Sequence, residues 1–140
     1  MLPRLQSFFD PHLSALIADN LSTFVSDYDF PLALYVEGER VVYPSPVVMK
    51  QASAAYRRWL IDHGVNHYTC RINAVDIPRQ SRFRVWVTIF AHHTGRGTFD
   101  QTESVYFLRD KRGQLLIEMV ECTETPDAAF VRSRRQMQTA

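Results

Sequence analysis

The hydrophobic pattern changes period once, near residue 66: apolar side chains recur at helical spacing before it and alternate after it. Asp10-Pro11 reads as an N-cap followed by proline in the first helical turn. Leu13, Leu16, Ile17, Leu21, Phe24 and Val25 then continue at intervals of three and four, predicting one amphipathic helix over about 10–27. Pro31 to Val36 and Arg40 to Tyr43, separated by Glu37-Gly38-Glu39, read as a hairpin of two short strands. Ser45-Pro46 repeats the cap-and-proline signal. Val48, Ala52, Ala55, Tyr56, Trp59 and Leu60 mark a second helix, which Gly64 ends in a left-handed conformation.

Four strands are predicted beyond that point, at about 66–77, 82–94, 98–109 and 114–124. Pro78-Arg79-Gln80-Ser81, Gly95-Arg96-Gly97 and Asp110-Lys111-Arg112-Gly113 connect them, each short enough for an antiparallel meander. The segment after Thr125-Pro126-Asp127 is expected to hold a helical turn through Phe130 and then fray, with Arg132, Arg134 and Arg135 solvated. No linker or repeat divides the chain, so residues 1–140 are read as one domain with its core at about 10–124.

Composition narrows the function classes without choosing among them. The chain has 140 residues, 46% hydrophobic and 22% charged, with a formal net charge of +1, which is ordinary for a globular protein and gives no overall attraction for nucleic acid or anionic lipid. Neither nucleic acid nor membrane is expected as a partner. The first ten residues lack the apolar core of a secretory signal, and no apolar run reaches the roughly 18 residues of a membrane span, so a cytoplasmic protein is expected. Cys70 and Cys122 have no CxxC spacing and read as buried free thiols. His92 and His93 are adjacent in a strand and point to opposite faces, so they cannot chelate one ion together. With no Gly-rich phosphate loop or nucleophile elbow either, neither metal nor cofactor is expected. Arg57-Arg58 read as a solvated helix face.

Strand register sorts the candidate site residues. Pairing Thr94 with Thr98, Arg109 with Gln114 and Ile77 with Arg82 gives an inner face of Tyr68, Cys70, Ile72 and Ala74; Phe83, Val85, Val87, Ile89, Ala91 and His93; Gln101, Glu103, Val105 and Phe107; and Leu116, Glu118, Val120 and Cys122. On it Glu103 and Glu118 are two carboxylates in an apolar field, and repulsion and desolvation would fit one of them for proton transfer. Alternatively, they reach arginine or tyrosine partners, or a slip by one residue turns them to solvent. Tyr68, His93 and Gln101 at one rim, with Val105, Trp59 and Phe24, are the candidate ligand contacts. The other face carries Trp86, Phe90, Tyr106, Ile117 and Met119 with Arg71 and Arg84, a mixture that interface cores favour.

The order helix, short strands, helix and four long strands, with Tyr43-Pro44 ahead of the second helix and Phe107 to Leu115 at the last hairpin, resembles the nuclear transport factor 2-like superfamily. Its SnoaL-like and ketosteroid-isomerase-like branch is the part it looks most like. The resemblance implies an α+β fold in which a cone-shaped, curved antiparallel sheet wraps around N-terminal helices, as in cystatin-like folds, with a small-molecule cavity inside and a dimer through the outer sheet face. The isomerase residues do not carry over. Tyr43 stands where that family has its general base, and Leu21 and Val105 stand where it has its two oxyanion donors. The nearest approximation to the histidine and aspartate set of scytalone dehydratase-like members is Asp29 with His93.

Three functions remain open on the sequence. The first is a homodimeric domain binding a small apolar or aromatic molecule. The second is an isomerase, dehydratase or cyclase using Glu103 or Glu118 as proton carrier. The third is a non-catalytic dimerisation or partner-binding module.

Overall fold

The computed structural model describes residues 1–95 and 99–124. The chain begins helical about eight residues ahead of expectation: α1 spans Leu2–Ile17 and runs straight through Pro11. Proline inside a helix costs about 3 kcal/mol. Extending the helix back to Leu2 buries Leu5 and Phe9 completely, and each contributes about 1.5–3 kcal/mol, so burial outweighs the broken turn. Instead of continuing to residue 27, the helix stops where Asp19 turns left-handed (φ 62) and the Asn20 N–H donates back to the Ala15 carbonyl at 2.9 Å. A short α2, Leu21–Ser26, follows.

β1, Tyr28–Val36, and β2, Glu39–Tyr43, form the expected hairpin through Glu37 and Gly38, both at positive φ. α3 spans Pro46–Asp62, capped by the Ser45 hydroxyl, which accepts from Val48 N–H; Gly64 beyond it has φ +84, as expected. The meander follows as β3, Val65–Val75; β4, Arg82–His93; β5, Phe99–Lys111; and β6, Gln114–Glu124. The six strands make a curved, open sheet in the order β2-β1-β6-β5-β4-β3. β1 joins β6 in parallel, so the sheet is mixed rather than purely antiparallel. The fold is α+β, with the helices on the concave face and the core between.

The β3–β4 register matches the expectation at Cys70↔Ile89 and Ile72↔Val87. An irregularity after Ile72 then pairs Val75 with Val85, turning Ala74 away from the core face and Val75 toward it. The β4–β5 register departs by one residue: Trp86, not Val87, pairs with Val105, and Val87 pairs with Ser104. Ser104, Tyr106 and Leu108 are therefore the buried residues of β5, while Gln101, Glu103, Val105 and Phe107 belong to the opposite face. Both parities of 105–108 are apolar, so alternation alone does not choose between them. The expected Thr94–Thr98 pair and the Gly95-Arg96-Gly97 turn involve residues outside the described ones, as does the expected tail from Thr125 onward.

At the last hairpin β5 continues to Lys111, which pairs with Gln114 across Arg112 (φ 54) and Gly113 (φ 89). That tight turn replaces the expected four-residue one. It leaves Leu115 and Ile117 facing the core, with Leu116 outward. A bulge at Glu118 then restores the expected facing, and Val120 and Cys122 look inward. Tyr106 and Ile117, expected on the outer patch, are therefore core residues.

Candidate functional site

The concave face and the helices enclose a cavity of about 720 Å³. Leu13 and Leu16 of α1, Phe24 of α2, and Tyr56, Trp59 and Leu60 of α3 wall it on the helix side. Tyr68, Ile89, Ala91, Tyr106 and Val120 line it on the sheet side. α3 touches the sheet through β2 and β3, so it bridges the cavity rather than filling it. The volume lies in the range of small-molecule sites, and the lining is apolar with a few placed polar groups.

Two hydrogen-bonded groups stand out among them. In the interior, the His12 side chain is completely buried, stacked on Phe24 with ring centroids 4.5 Å apart. Its Nδ1 is 2.8 Å from Asp27 Oδ2 and its Nε2 is 3.1 Å from the Tyr28 hydroxyl. A carboxylate only accepts, so Nδ1 carries the proton, and in the neutral ring Nε2 accepts from the Tyr28 O–H. His12 and Tyr28 both line the cavity. Burial pushes the Tyr28 hydroxyl well above its ordinary pKa, with Tyr106, Asp27, Cys122 and Tyr43 adding in the same direction.

The second polar group lies at the turn end of β4. His93 Nε2 is 2.7 Å from Asp100 Oδ2, and Nδ1 is 3.1 Å from the His63 carbonyl. Both partners are acceptors, and the imidazolium form donates to both at once. His63 packs its ring on Trp59 at 4.1 Å, and Asp62, Thr94 and Asp100 share this part of the lining.

Among the candidate ligand contacts, Phe24, Trp59, Tyr68 and His93 all line the cavity; Gln101 and Val105 do not. Neither candidate carboxylate points inward. Glu103 accepts from the fully buried Thr88 hydroxyl at 2.9 Å on the outer face, and Thr88 in turn accepts from Asn73 at 2.8 Å. Glu118 accepts from Arg82 at 3.0 Å, with Arg109 Nε 3.9 Å away. The register slip and the bulge account for both displacements. Asp29 is not near His93; it pairs with Arg109 at 2.9 Å. Tyr43 lines the cavity, whereas Leu21 is buried in the core beside it and Val105 faces outward.

His12, Asp27 and Tyr28 were not singled out by the sequence reading. The available signal was a histidine within the apolar stripe of Leu5, Phe9, Leu13 and Leu16, followed by an aspartate and a tyrosine where the helical pattern ends. The two cysteines are free, as expected, but only half-buried. His92 and His93 do take opposite faces, with His92 stacked on His67 outside and His93 in the cavity. No helix among the described residues is long and apolar enough to cross a membrane.

An open, curved sheet with helices across its concave face and a cavity between them defines the nuclear transport factor 2-like, or cystatin-like, fold. ActVI-ORFA from Streptomyces coelicolor superposes with a TM-score of 0.67 at 8% identity, over 87% of this chain and 93% of that one. Aln2 from another Streptomyces species gives 0.64 at 13% identity, over 95% of each chain. An NTF-2-like protein of unknown function from Shewanella oneidensis gives 0.66 at 11% identity, over 88% of this chain and 98% of that one. No protein-family model matches the chain, and no curated protein does.

Proposed function

We propose that this chain is a single SnoaL-like domain that binds a small apolar or aromatic molecule in its cavity and works as a homodimer. The cavity carries the reading: about 720 Å³ walled by Phe24, Trp59 and Tyr68, with the His12–Tyr28 and His93–Asp100 pairs among its hydrogen-bonding groups. Such a site takes its affinity from apolar burial and its orientation from a few polar contacts. Cys70 and Cys122, with no disulfide between them, support the reading of a cytoplasmic location, since a reducing compartment keeps thiols unoxidised. The dimer is supported by Trp86, Phe90, Val105, Phe107 and Met119, half-buried on the outer face, with Arg84 over the Trp86 ring at 4.9 Å.

Isothermal calorimetry with 2-methoxynaphthalene, an aromatic probe with no acidic proton, tests the cavity. Saturable binding is expected, and it should be lost in Ala52→Phe, which fills the space beneath α3 while the thermal transition stays cooperative. No saturable binding by the unmutated protein overturns the reading. Sedimentation tests the dimer: Trp86→Glu should give monomers, and a one-chain mass for the unmutated protein at micromolar concentration refutes the homodimer.

A second, enzymatic reading is favoured by one observation, a histidine held between a carboxylate and a tyrosine that lines the cavity. Isomerase, dehydratase or cyclase chemistry on this chain would use that group rather than Glu103 or Glu118.

A further inference from the structure

We infer that Asp27, His12 and Tyr28 form a proton relay that selects a ligand with an acidic hydroxyl, phenolic or enolic, on an apolar frame and stores its proton on His12. The inference rests on the cavity being the ligand site and adds the class of ligand.

The hydrogen-bond directions dictate what the cavity presents. Asp27 fixes the His12 proton on Nδ1, which leaves Nε2 to accept the Tyr28 proton. With its own hydrogen committed to His12, the Tyr28 oxygen offers lone pairs to a ligand, so the partner it selects is a donor. A ligand hydroxyl bound there can give up its proton in a concerted step. The ligand O–H bond breaks as a new O–H bond forms on Tyr28, and the original Tyr28 proton moves to His12 Nε2. The ligand keeps the electron pair as an oxyanion and accepts a hydrogen bond from the Tyr28 hydroxyl. His12 becomes an imidazolium facing the Asp27 carboxylate. Net charge in the site is unchanged, and no other reactant is consumed.

Each neighbour suits one stage of that step. The Asp27 carboxylate, 2.8 Å from Nδ1, stabilises the imidazolium. Phe8 and Phe24 lie nearly parallel to the His12 ring, at 5.9 and 4.5 Å, holding it in the plane of both hydrogen bonds. Tyr106 also lines the cavity and lies within electrostatic reach of the Tyr28 hydroxyl, where it can supply a second donor to the oxyanion. Tyr28 itself resists ionisation because it is buried, and in a relay it never has to ionise, since it gains one proton as it loses another. The aromatic walls set the frame: Phe24, Tyr56 and Trp59 surround a flat apolar body better than a hydrated one.

The probe is 4-nitrophenol, whose absorbance separates phenol from phenolate, studied at a pH where the free probe is protonated. Calorimetry in two buffers of different ionisation heat counts the protons released. The expected result is a bound phenolate spectrum with no proton passed to buffer, because the proton stays on His12. Tyr28→Phe and Asp27→Asn should both lose the phenolate spectrum, and Tyr28→Phe should weaken binding tenfold or more. Retained binding of 2-methoxynaphthalene shows that each variant remains folded with its cavity intact. A phenolate accompanied by one released proton means simple anion binding and overturns the relay, as does an unchanged spectrum in Tyr28→Phe. Binding of 2-methoxynaphthalene without binding or deprotonation of 4-nitrophenol overturns the relay alone. Failure of both probes overturns the relay and the cavity reading together.

Discussion

Arg82 Nε donates to Glu118 Oε1 across 3.0 Å, joining the first residue of β4 to the bulge in β6 on the outer face of the sheet. Glu118 is thereby a carboxylate partnered on the outer face, and it does not line the cavity. Arg82 keeps about half of its side-chain surface in water, so solvent screens the pair and its contribution lies in the range of about 0–1 kcal/mol. Glu118→Gln should lower stability at pH 7 by no more than about 1 kcal/mol, read as a small drop in urea midpoint. A raised midpoint would mean that the carboxylate costs stability in the fold, which this geometry does not allow.

The six strands, the helix between the hairpin and the meander, and their order were legible in the sequence, because period, caps and turns are local properties, whereas the single helix expected over about 10–27 formed as two, Leu2–Ile17 and Leu21–Ser26. Ser45-Pro46, Gly64 and the alternation of β3 and β4 each predicted what formed. The site was half legible: Phe24, Trp59, Tyr68 and His93 were placed in the cavity by helical spacing and by the β3–β4 register, where one parity of β4, Phe83, Val85, Val87 and Ile89, is continuously apolar and the other alternates Trp86 and Phe90 with polar residues. β5 defeated the same procedure, since Val105 and Phe107 compete with Tyr106 and Leu108, and a slip of one residue exchanges the faces. Tertiary packing decided for Tyr106, whose ring meets Phe9 edge-on at 4.9 Å. Phe9 lies in the helical turns ahead of Pro11, the stretch that the proline signal had excluded, so the two errors share one cause.

Pro11 offers a test of that account. It is exposed in the middle of α1 and removes one helical hydrogen bond. Pro11→Ala should stabilise the protein by about 1–2 kcal/mol, the helical gain of up to about 3 kcal/mol being offset by a more flexible unfolded chain. Urea denaturation measures it. A loss of stability would mean that the proline shapes the helix to fit the sheet.

His92 gives a prediction with a pH sign. Desolvation is the main cause that lowers its pKa, followed by repulsion from His67, stacked at 4.2 Å, and from His93. Thr69, 2.8 Å from Nε2, is an uncharged neighbour. A folded value below the unfolded one of about 6.5 means that the fold favours the neutral ring. That preference is fully present above about pH 6.5 and is lost as pH falls through the folded value, so acidification through this window destabilises the protein. His67→Phe should raise the His92 pKa without returning it to normal, because burial remains. A titration of the ring nitrogens by NMR reads it, and an unchanged value would exclude the His67 repulsion.

Cys70 supplies the opposite sign. Burial pushes its thiol up to about 11, opposed by the Gln6 amide at 3.4 Å and reinforced by the Asp10 carboxylate. At pH 8 only about one such thiol in a thousand is ionised, so iodoacetamide should alkylate Cys70 roughly a hundredfold more slowly than an ordinary thiol. Asp10→Asn removes a repelling charge and should accelerate the reaction several-fold, whereas Gln6→Ala removes the donor to sulfur and should slow it further. Because the folded value lies above the unfolded one of about 8.5, the neutral thiol's contribution is complete below about pH 8.5 and is lost as pH rises through the folded value. Stability should therefore fall more steeply between about pH 8.5 and 11 in the unmutated protein than in Cys70→Ala, and comparing slopes rather than absolute values removes the packing change. Equal slopes, or alkylation at the ordinary rate, would mean that the sulfur is open to water and that the contact between α1 and β3 does not shield it.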